Sequence, residues 1–253
     1  MLSHFELGSL LEEEESYQEA IQEYGEAIFE EPENIEPLIK RGALLEEVGE
    51  FSRALQDFDL AISINSKSVA ALNLRGDVVA TLGRYKDAIA DFTSAISIDS
   101  KNVSSYYNRG LAYSSIGKTT EAIEDLTKAV ELDPYHGGAY HNKGLLFYRV
   151  GNYELAIEDF TKAIEVRKGF PCSYTHRGRV YEALGNIEKA IQDYTEALNI
   201  NKTDTNSLFY RGSLYYNLNE KDKGAKDFEL LVKTAPKSNQ FRIIAMKKLE
   251  DET

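Results

Sequence analysis

The stretch Asn108-Arg109-Gly110-Leu111-Ala112-Tyr113, NRGLAY, sets a glycine behind a cation inside a run that otherwise reads as helix. The pair returns every 34 residues: Arg41-Gly42, Arg75-Gly76, Lys143-Gly144, Arg177-Gly178 and Arg211-Gly212, with Leu7-Gly8 completing the series. Frames of 34 residues beginning at 1, 35, 69, 103, 137, 171 and 205 align without an insertion. A period of this length is the signature of a repeat array, in which each unit cannot bury its apolar face alone and stacks on its neighbours.

Each frame reads as helix, turn, helix. Between positions 17 and 28, as in YKDAIADFTSAI (Tyr85 to Ile96), apolar residues recur at helical spacing. Position 15 is Gly49, Gly83, Gly117, Gly151 and Gly185, then Asn219; these residue types tolerate the left-handed backbone that ends a helix. Glu15 is the exception, so the first turn is expected to be the least ideal. Pro32, Pro134 and Pro236 close the second helix in three frames.

Small residues hold fixed places. Position 20 is Ala20, Ala54, Ala88, Ala122, Ala156 and Ala190, then Gly224; position 27 is Ala27, Ala61, Ala95, Ala129, Ala163 and Ala197, then Leu231. Position 24 is bulky throughout: Tyr24, Phe58, Phe92, Leu126, Phe160, Tyr194 and Phe228. Glycine at position 8 costs up to about 1 kcal/mol of helix propensity, and close approach of helix backbones around the bulky residue compensates it. The cation has a counterpart at position 23, acidic in every frame from Glu23 and Asp57 to Asp227. Positions 7 and 23 are equally far from the turn and therefore level, which predicts a salt-bridge ladder from Arg41–Asp57 to Arg211–Asp227. It is expected to open at the first frame, where Leu7 replaces the cation.

The spacing of Gly8, Ala20, Ala27, the bulky position 24 and the proline at 32 resembles the tetratricopeptide repeat pattern, including its period. The likeness covers residues 1 to about 238. It departs at position 4, which lacks Trp, and in the second helix of the last frame. The resemblance implies an all-α fold, an α-solenoid built as a right-handed superhelix of antiparallel helix hairpins. Seven repeats (1–34, 35–68, 69–102, 103–136, 137–170, 171–204, 205–238) are expected, then a capping helix over 239–253 with Phe241, Ile244, Ala245 and Leu249 on its apolar face. The acidic first hairpin serves as its own cap, or the array is cut from a longer protein.

Composition bounds the function. The net charge of −13 disfavours nucleic acid or an anionic membrane as the main ligand. Residues 1–68 hold 17 Asp and Glu against 4 Lys and Arg, so one end of the array is acidic. No apolar run reaches the roughly 20 residues of a membrane span, so no membrane insertion is expected. Cys172 is the sole cysteine, which precludes an internal disulfide and makes a cytoplasmic setting the default, nuclear and ciliary settings remaining open.

The resemblance further implies a concave wall of first helices, with positions 2, 5, 6, 9, 12 and 13 facing inward. The candidate groove residues on it are Tyr107, Asn108, His141, Asn142, Tyr148, Arg149, His176, Arg179, Phe209 and Tyr210, and Glu12, Glu13, Glu36, Glu46 and Glu47 form an acidic entrance that would steer a basic segment. Asn108 and Asn142 can each donate and accept, as gripping a peptide backbone requires, with Tyr and Phe supplying flat contact area. The expected function is a non-enzymatic adaptor that holds a peptide or helical segment of a partner protein, with self-association through the array ends also open. The alternative is a targeting or regulatory array of a larger assembly, as in corepressors, glycosyltransferases and ciliary transport complexes. A chaperone carboxylate clamp is disfavoured, because position 9 is never Asn and position 5 never Lys.

No cofactor or metal is expected. Motifs for metal-dependent, phosphate-loop and serine-elbow catalysis are absent. Cys172 and His176, spaced i, i+4, and His141 of the preceding frame are the one constellation with ligand or nucleophile chemistry, and it lacks a fourth ligand and an oxyanion donor.

Overall fold

The periodicity becomes helices with few exceptions. A computed structural model describes residues 2–250, among which the chain forms fifteen α-helices. Contacts divide the chain into two compact units, Met1–Asp133 and Pro134–Thr253. The first contains four hairpins: α1 (His4–Glu13) with α2 (Tyr17–Glu30), α3 (Ile35–Glu47) with α4 (Phe51–Ile64), α5 (Val69–Thr81) with α6 (Tyr85–Ile98), and α7 (Val103–Ser115) with α8 (Thr119–Leu132). The second contains α9 (Gly137–Arg149) with α10 (Tyr153–Val166), α11 (Pro171–Ala183) with α12 (Ile187–Ile200), α13 (Thr205–Asn217) with α14 (Lys221–Thr234), and then α15 (Gln240–Glu250). Within each unit the second helix of one hairpin packs on the first helix of the next. The last three positions of the expected capping helix lie outside the described residues.

The turns are made by one device. The N–H of position 16 donates to the carbonyl of position 11 in every hairpin, from Ser16 to Leu11 through Glu220 to Tyr215, at 2.7–2.9 Å. This six-to-one bond requires a left-handed residue between them. Five glycines supply it with φ of +74 to +81°, while Glu15 (φ 58°) and Asn219 (φ 63°) adopt the same region. Glu15 therefore costs on the order of 1 kcal/mol that the glycines do not. First helices start on Ser3, Asn34, Ser68, Asn102, His136 and Asp204 side chains that accept from the first turn, and α11 starts instead with Pro171 in its first turn.

Packing explains the glycine of the opening motif. A Cβ at Gly42 would lie 2.5 Å from Phe58, and one at Gly110 would lie 3.1 Å from Leu126. The bulky residue at position 24 occupies the space that a side chain at position 8 would need. The alanines at positions 20 and 27 are almost wholly buried around it.

The charge ladder is present in both units. Arg41–Asp57, Arg75–Asp91 and Arg109–Asp125 in the first, and Arg177–Asp193 and Arg211–Asp227 in the second, are two-pronged pairs, with Nε and Nη2 each donating to one carboxylate oxygen at 2.6–2.9 Å. Such forked, charge-assisted bonds satisfy aspartates that the hairpins bury. At frame five Lys143 Nζ reaches Asp159 Oδ1 at 3.1 Å, and Oδ2 is buried without a partner. Contrary to expectation, the ladder does not stop at Leu7. His4, one turn earlier on α1, places Nδ1 2.5 Å from Glu23, and that hydrogen bond raises the imidazole pKa.

The arginines also join successive hairpins. Their third donor, Nη1, reaches Asp59 from Arg75, Thr93 from Arg109, Thr161 from Arg177 and Thr195 from Arg211, at 2.7–3.1 Å. These acceptors stand at position 25 of the preceding frame. These four rungs are thus staples between frames as well as within one.

Candidate partner-binding surfaces

Position 5, expected to face a ligand, is spent on the seam between adjacent first helices. It meets position 3 of the next frame: Asn73 accepts from Ser105 Oγ at 2.7 Å, His141 Nδ1 lies 2.9 Å from Ser173 Oγ, and Thr175 and Ser207 hydroxyls are 2.8 Å apart. His141 is 8 % exposed, edge-on to Phe160, Phe170 and His176, and burial pushes its pKa down to about 4. It is a neutral core histidine rather than a groove residue. Phe209 is likewise withdrawn: α15 lays Phe241 on it, ring centroids 4.2 Å apart. In α15 itself Ala245 is buried, but Ile244, placed on the apolar face by periodicity, is 42 % exposed.

His176 is half-buried, stacks on Phe160 and donates from Nδ1 to the Cys172 carbonyl at 2.7 Å. Burial lowers its pKa and raises that of the Cys172 thiol. Among the described residues no group of three His, Cys, Asp or Glu side chains is arranged to hold a metal ion. Asn142 turns its Nδ2 back to the Gly138 carbonyl at 2.9 Å, whereas Asn108 donates to Asp77 at 2.6 Å, so the two asparagines do not repeat one gesture. Tyr107 is half-buried and Arg149 exposed.

In each unit polar side chains at positions 12, 9 and 6 of three successive frames come together, with opposite charge. In the second unit the Arg179 guanidinium lies over the rings of Tyr148, at 5.3 Å, and Tyr210, at 5.1 Å. That sandwich is a cation–π arrangement that fixes the guanidinium on the first-helix surface. In the first unit the corresponding residues are Glu46, Asp77 and Asn108, which line a cavity of about 360 Å3 with Phe92, Leu111 and Ala112. Burial, and then the charge of Glu46, push Asp77 up to about 7. Burial also raises Glu46.

The other acids of the expected entrance behave differently. Glu12 is neutralised by Lys40 at 3.2 Å and accepts from Tyr24 Oη at 2.6 Å, while Glu13, Glu36 and Glu47 are exposed. Asp77 was not among the sequence candidates. Its signal is the spacing: Glu46, Asp77 and Asn108 are 31 residues apart, as are Tyr148, Arg179 and Tyr210. A wider cleft of about 910 Å3 opens at the turns beside α12, between Leu184 and Leu218, and its Glu220 and Lys223 pair with each other.

Comparison with known families fixes the lineage. Models described as tetratricopeptide repeat match residues 103–136, 135–203 and 206–238, and one described as TPR repeat matches 76–117. The chain belongs to the tetratricopeptide repeat family. Its fold class is the α-solenoid of that family. No curated protein matches the sequence. Among solved structures, the chain is similar to YrrB, described as a TPR protein with an unusual peptide-binding site, at 26 % identity and TM-score 0.61 over 74 % of this chain and 97 % of that one. It shares its fold with a tetratricopeptide repeat protein from Parabacteroides merdae (20 % identity, TM-score 0.72, 96 % and 97 % covered) and with PilF of Pseudomonas aeruginosa (20 %, 0.73, 87 % and 97 %). Among the described residues of this tetratricopeptide repeat chain, no helix is long and apolar enough to cross a membrane.

Proposed function

We propose that the chain is a non-enzymatic interaction scaffold that holds peptide or helical segments of partner proteins on its first-helix surfaces. The carrying observation is the pair of polar clusters at positions 12, 9 and 6. There the repeats place the charged, partly exposed side chains of Glu46, Asp77 and Arg179, while positions 8, 20, 24 and 27 are given over to the core. A half-buried Arg179 held between two tyrosines is the kind of rigid aromatic and guanidinium anchor that dominates protein interfaces. The likeness to YrrB, described as having a peptide-binding site, supports the same reading. The excess of acid in residues 1–68 favours partner segments of opposite charge for that end and disfavours polyanions.

The test is selection of random twelve-residue peptides displayed on phage against the full chain. Selected peptides are rescreened against Arg179→Ala with Tyr148→Ala, and separately against Glu46→Gln with Asp77→Asn. The expected result is that most peptides lose binding to one variant pair and keep it to the other. Peptides that bind both pairs as well as the wild type would move recognition off these surfaces and overturn the reading.

A further inference from the structure

Each aspartate that the hairpins bury is given a cation of the protein's own. Asp57, Asp91, Asp125, Asp159, Asp193 and Asp227 each have the Arg or Lys of their hairpin, and Glu12 has Lys40. Asp77 and Glu46 stand together on one cavity without such a cation. Among the described residues neither has a Lys or Arg partner, and the one hydrogen bond to Asp77 is the Asn108 amide on Oδ1. A half-buried carboxylate pair with no counter-ion carries a desolvation cost that an external cation would relieve.

The surroundings restrict what that cation is. Two carboxylates stand beside an apolar wall of Leu111, Ala80 and Tyr85, backed by the buried Phe92 and Ala112, in a cavity of about 360 Å3, near the small end of the roughly 300–1,000 Å3 range of ligand pockets. A bare metal ion would leave the apolar wall unused, and the cluster offers two carboxylates where a divalent ion is usually held by six or more oxygens. A cationic side chain fits both parts, its aliphatic stem on the wall and its head between the acids. The second unit supplies an internal precedent: at the same three frame positions Arg179 shows that a guanidinium is accommodated between positions 12 and 6. There the cation is built in, whereas in the first unit the place of Arg179 is taken by an acid.

We propose that the cavity between α3, α5 and α7 is a recognition pocket for one lysine or arginine side chain of a partner segment. This rests on the scaffold reading and adds the chemistry of the residue recognised. Asn108 is the positioning residue, because its amide holds the Asp77 carboxylate by one oxygen and leaves the other for the guest. Glu46 supplies the second carboxylate.

The test uses defined probes on the full chain. N-acetyl-arginine amide and its neutral isostere N-acetyl-citrulline amide are titrated against isotope-labelled protein, and amide shifts are followed by NMR. The arginine probe is expected to shift Glu46, Asp77 and Leu111 amides and to bind at least about tenfold more tightly than citrulline. Glu46→Gln with Asp77→Asn is expected to abolish that preference. Both changes are isosteric, and Ser115→Lys, which brings an internal ammonium to the rim of the cavity, is expected to weaken the arginine probe about tenfold by competition while leaving the acids in place. Equal binding of the two probes would overturn the proposal, as would a preference for arginine that survives the double substitution.

The displayed peptides separate this proposal from the reading beneath it. Peptides that depend on the first unit's surface and show no enrichment of Lys or Arg would sink the cation pocket and leave the scaffold standing. Peptides indifferent to every first-helix substitution would sink both. Calcium or magnesium at millimolar concentration producing the same shifts as the arginine probe would reassign the pocket to a metal ion and overturn the proposal.

Discussion

Lys143→Arg should stabilise the protein, which is an unusual expectation for a change at a buried ion pair. Lys143 Nζ reaches one oxygen of Asp159 at 3.1 Å, and the other oxygen is buried with no hydrogen bond. In the neighbouring rung, Arg177 covers both oxygens of Asp193 at 2.8–2.9 Å. A buried acceptor left unmade costs about 1–3 kcal/mol, and a hydrogen bond to a charged group contributes about 1.5–3 kcal/mol, two descriptions of one deficit. The longer side chain must fit beside Tyr140, where the ammonium already sits 5.7 Å from the ring, as the guanidinium of Arg177 sits 5.8 Å from Tyr174. Allowing for repacking, the gain is about 1–2 kcal/mol. Burial pushes Asp159 up to about 6 from its usual 3.8, against the opposing pull of Lys143. A carboxyl whose folded value is raised contributes stability that is fully present below pH 4 and is lost as pH rises through 6. The variant should lower that folded value and flatten the slope between pH 4 and 6. Because repeat arrays do not unfold all-or-none, amide exchange in α9 and α10 is the primary readout, with urea midpoints alongside. A variant that exchanges faster, with Asp159 still titrating near 6, would refute the account of the rung.

Asp77→Asn should likewise stabilise at neutral pH: with the folded carboxyl near 7 against 3.8, the wild type loses stability as pH rises from 4 to 7, and the advantage of the variant, with a ceiling of about 4 kcal/mol, should vanish below pH 4 in urea titrations. Gly42→Ala should cost about 1–3 kcal/mol, because the new methyl meets the rigid Phe58 ring at 2.5 Å; Gly110→Ala should cost less, since the flexible Leu126 at 3.1 Å can yield, and equal losses would refute the packing role of position 24. Phe241→Ala removes the ring stacked on Phe209 at 4.2 Å and should cost about 2–3 kcal/mol, seen as faster exchange in α13; unchanged exchange would mean that α15 does not cap the array.

The parts legible in the sequence were those that repeat within one frame. Glycine at position 15 shows as a left-handed turn, glycine at 8 as the neighbour of a ring, and the cation at 7 as level with the acid at 23, because each depends on a distance measured along one hairpin. What escaped depends on the next frame. Thr93 lies 16 residues before Arg109, as Asp125 lies 16 after it. The argument from equal distance to a turn therefore applies equally to the turn between hairpins, where the sequence reading did not carry it. His4 escaped for a different reason: from one turn away on α1 it takes the place of the missing cation at Leu7, and a positional pattern registers only residues in register. Among the site residues, Arg179 and Tyr210 are in mutual contact, while His141 and Phe209 are taken up in packing, because position 5 is the contact between adjacent first helices.

That division has a consequence for how such an array acquires specificity. Position 9 touches position 12 behind it and position 6 ahead of it, so a recognition cluster is written by three residues spaced at 31, one in each of three frames. In the first unit none of the three is a glycine, alanine or ring of the hairpin core, whereas in the second Tyr148 and Tyr210 also pack against core clusters. A change from Glu, Asp and Asn to Tyr, Arg and Tyr alters the cluster from anionic to cationic within one architecture, as the two units of this chain already demonstrate. The chemistry offered to a partner is thus set by combinations across frames, and the identity of any single repeat says little about it. In the first unit the combination leaves two acids without a Lys or Arg partner at one cavity, and that deficit is the observation on which the proposed cation pocket stands or falls.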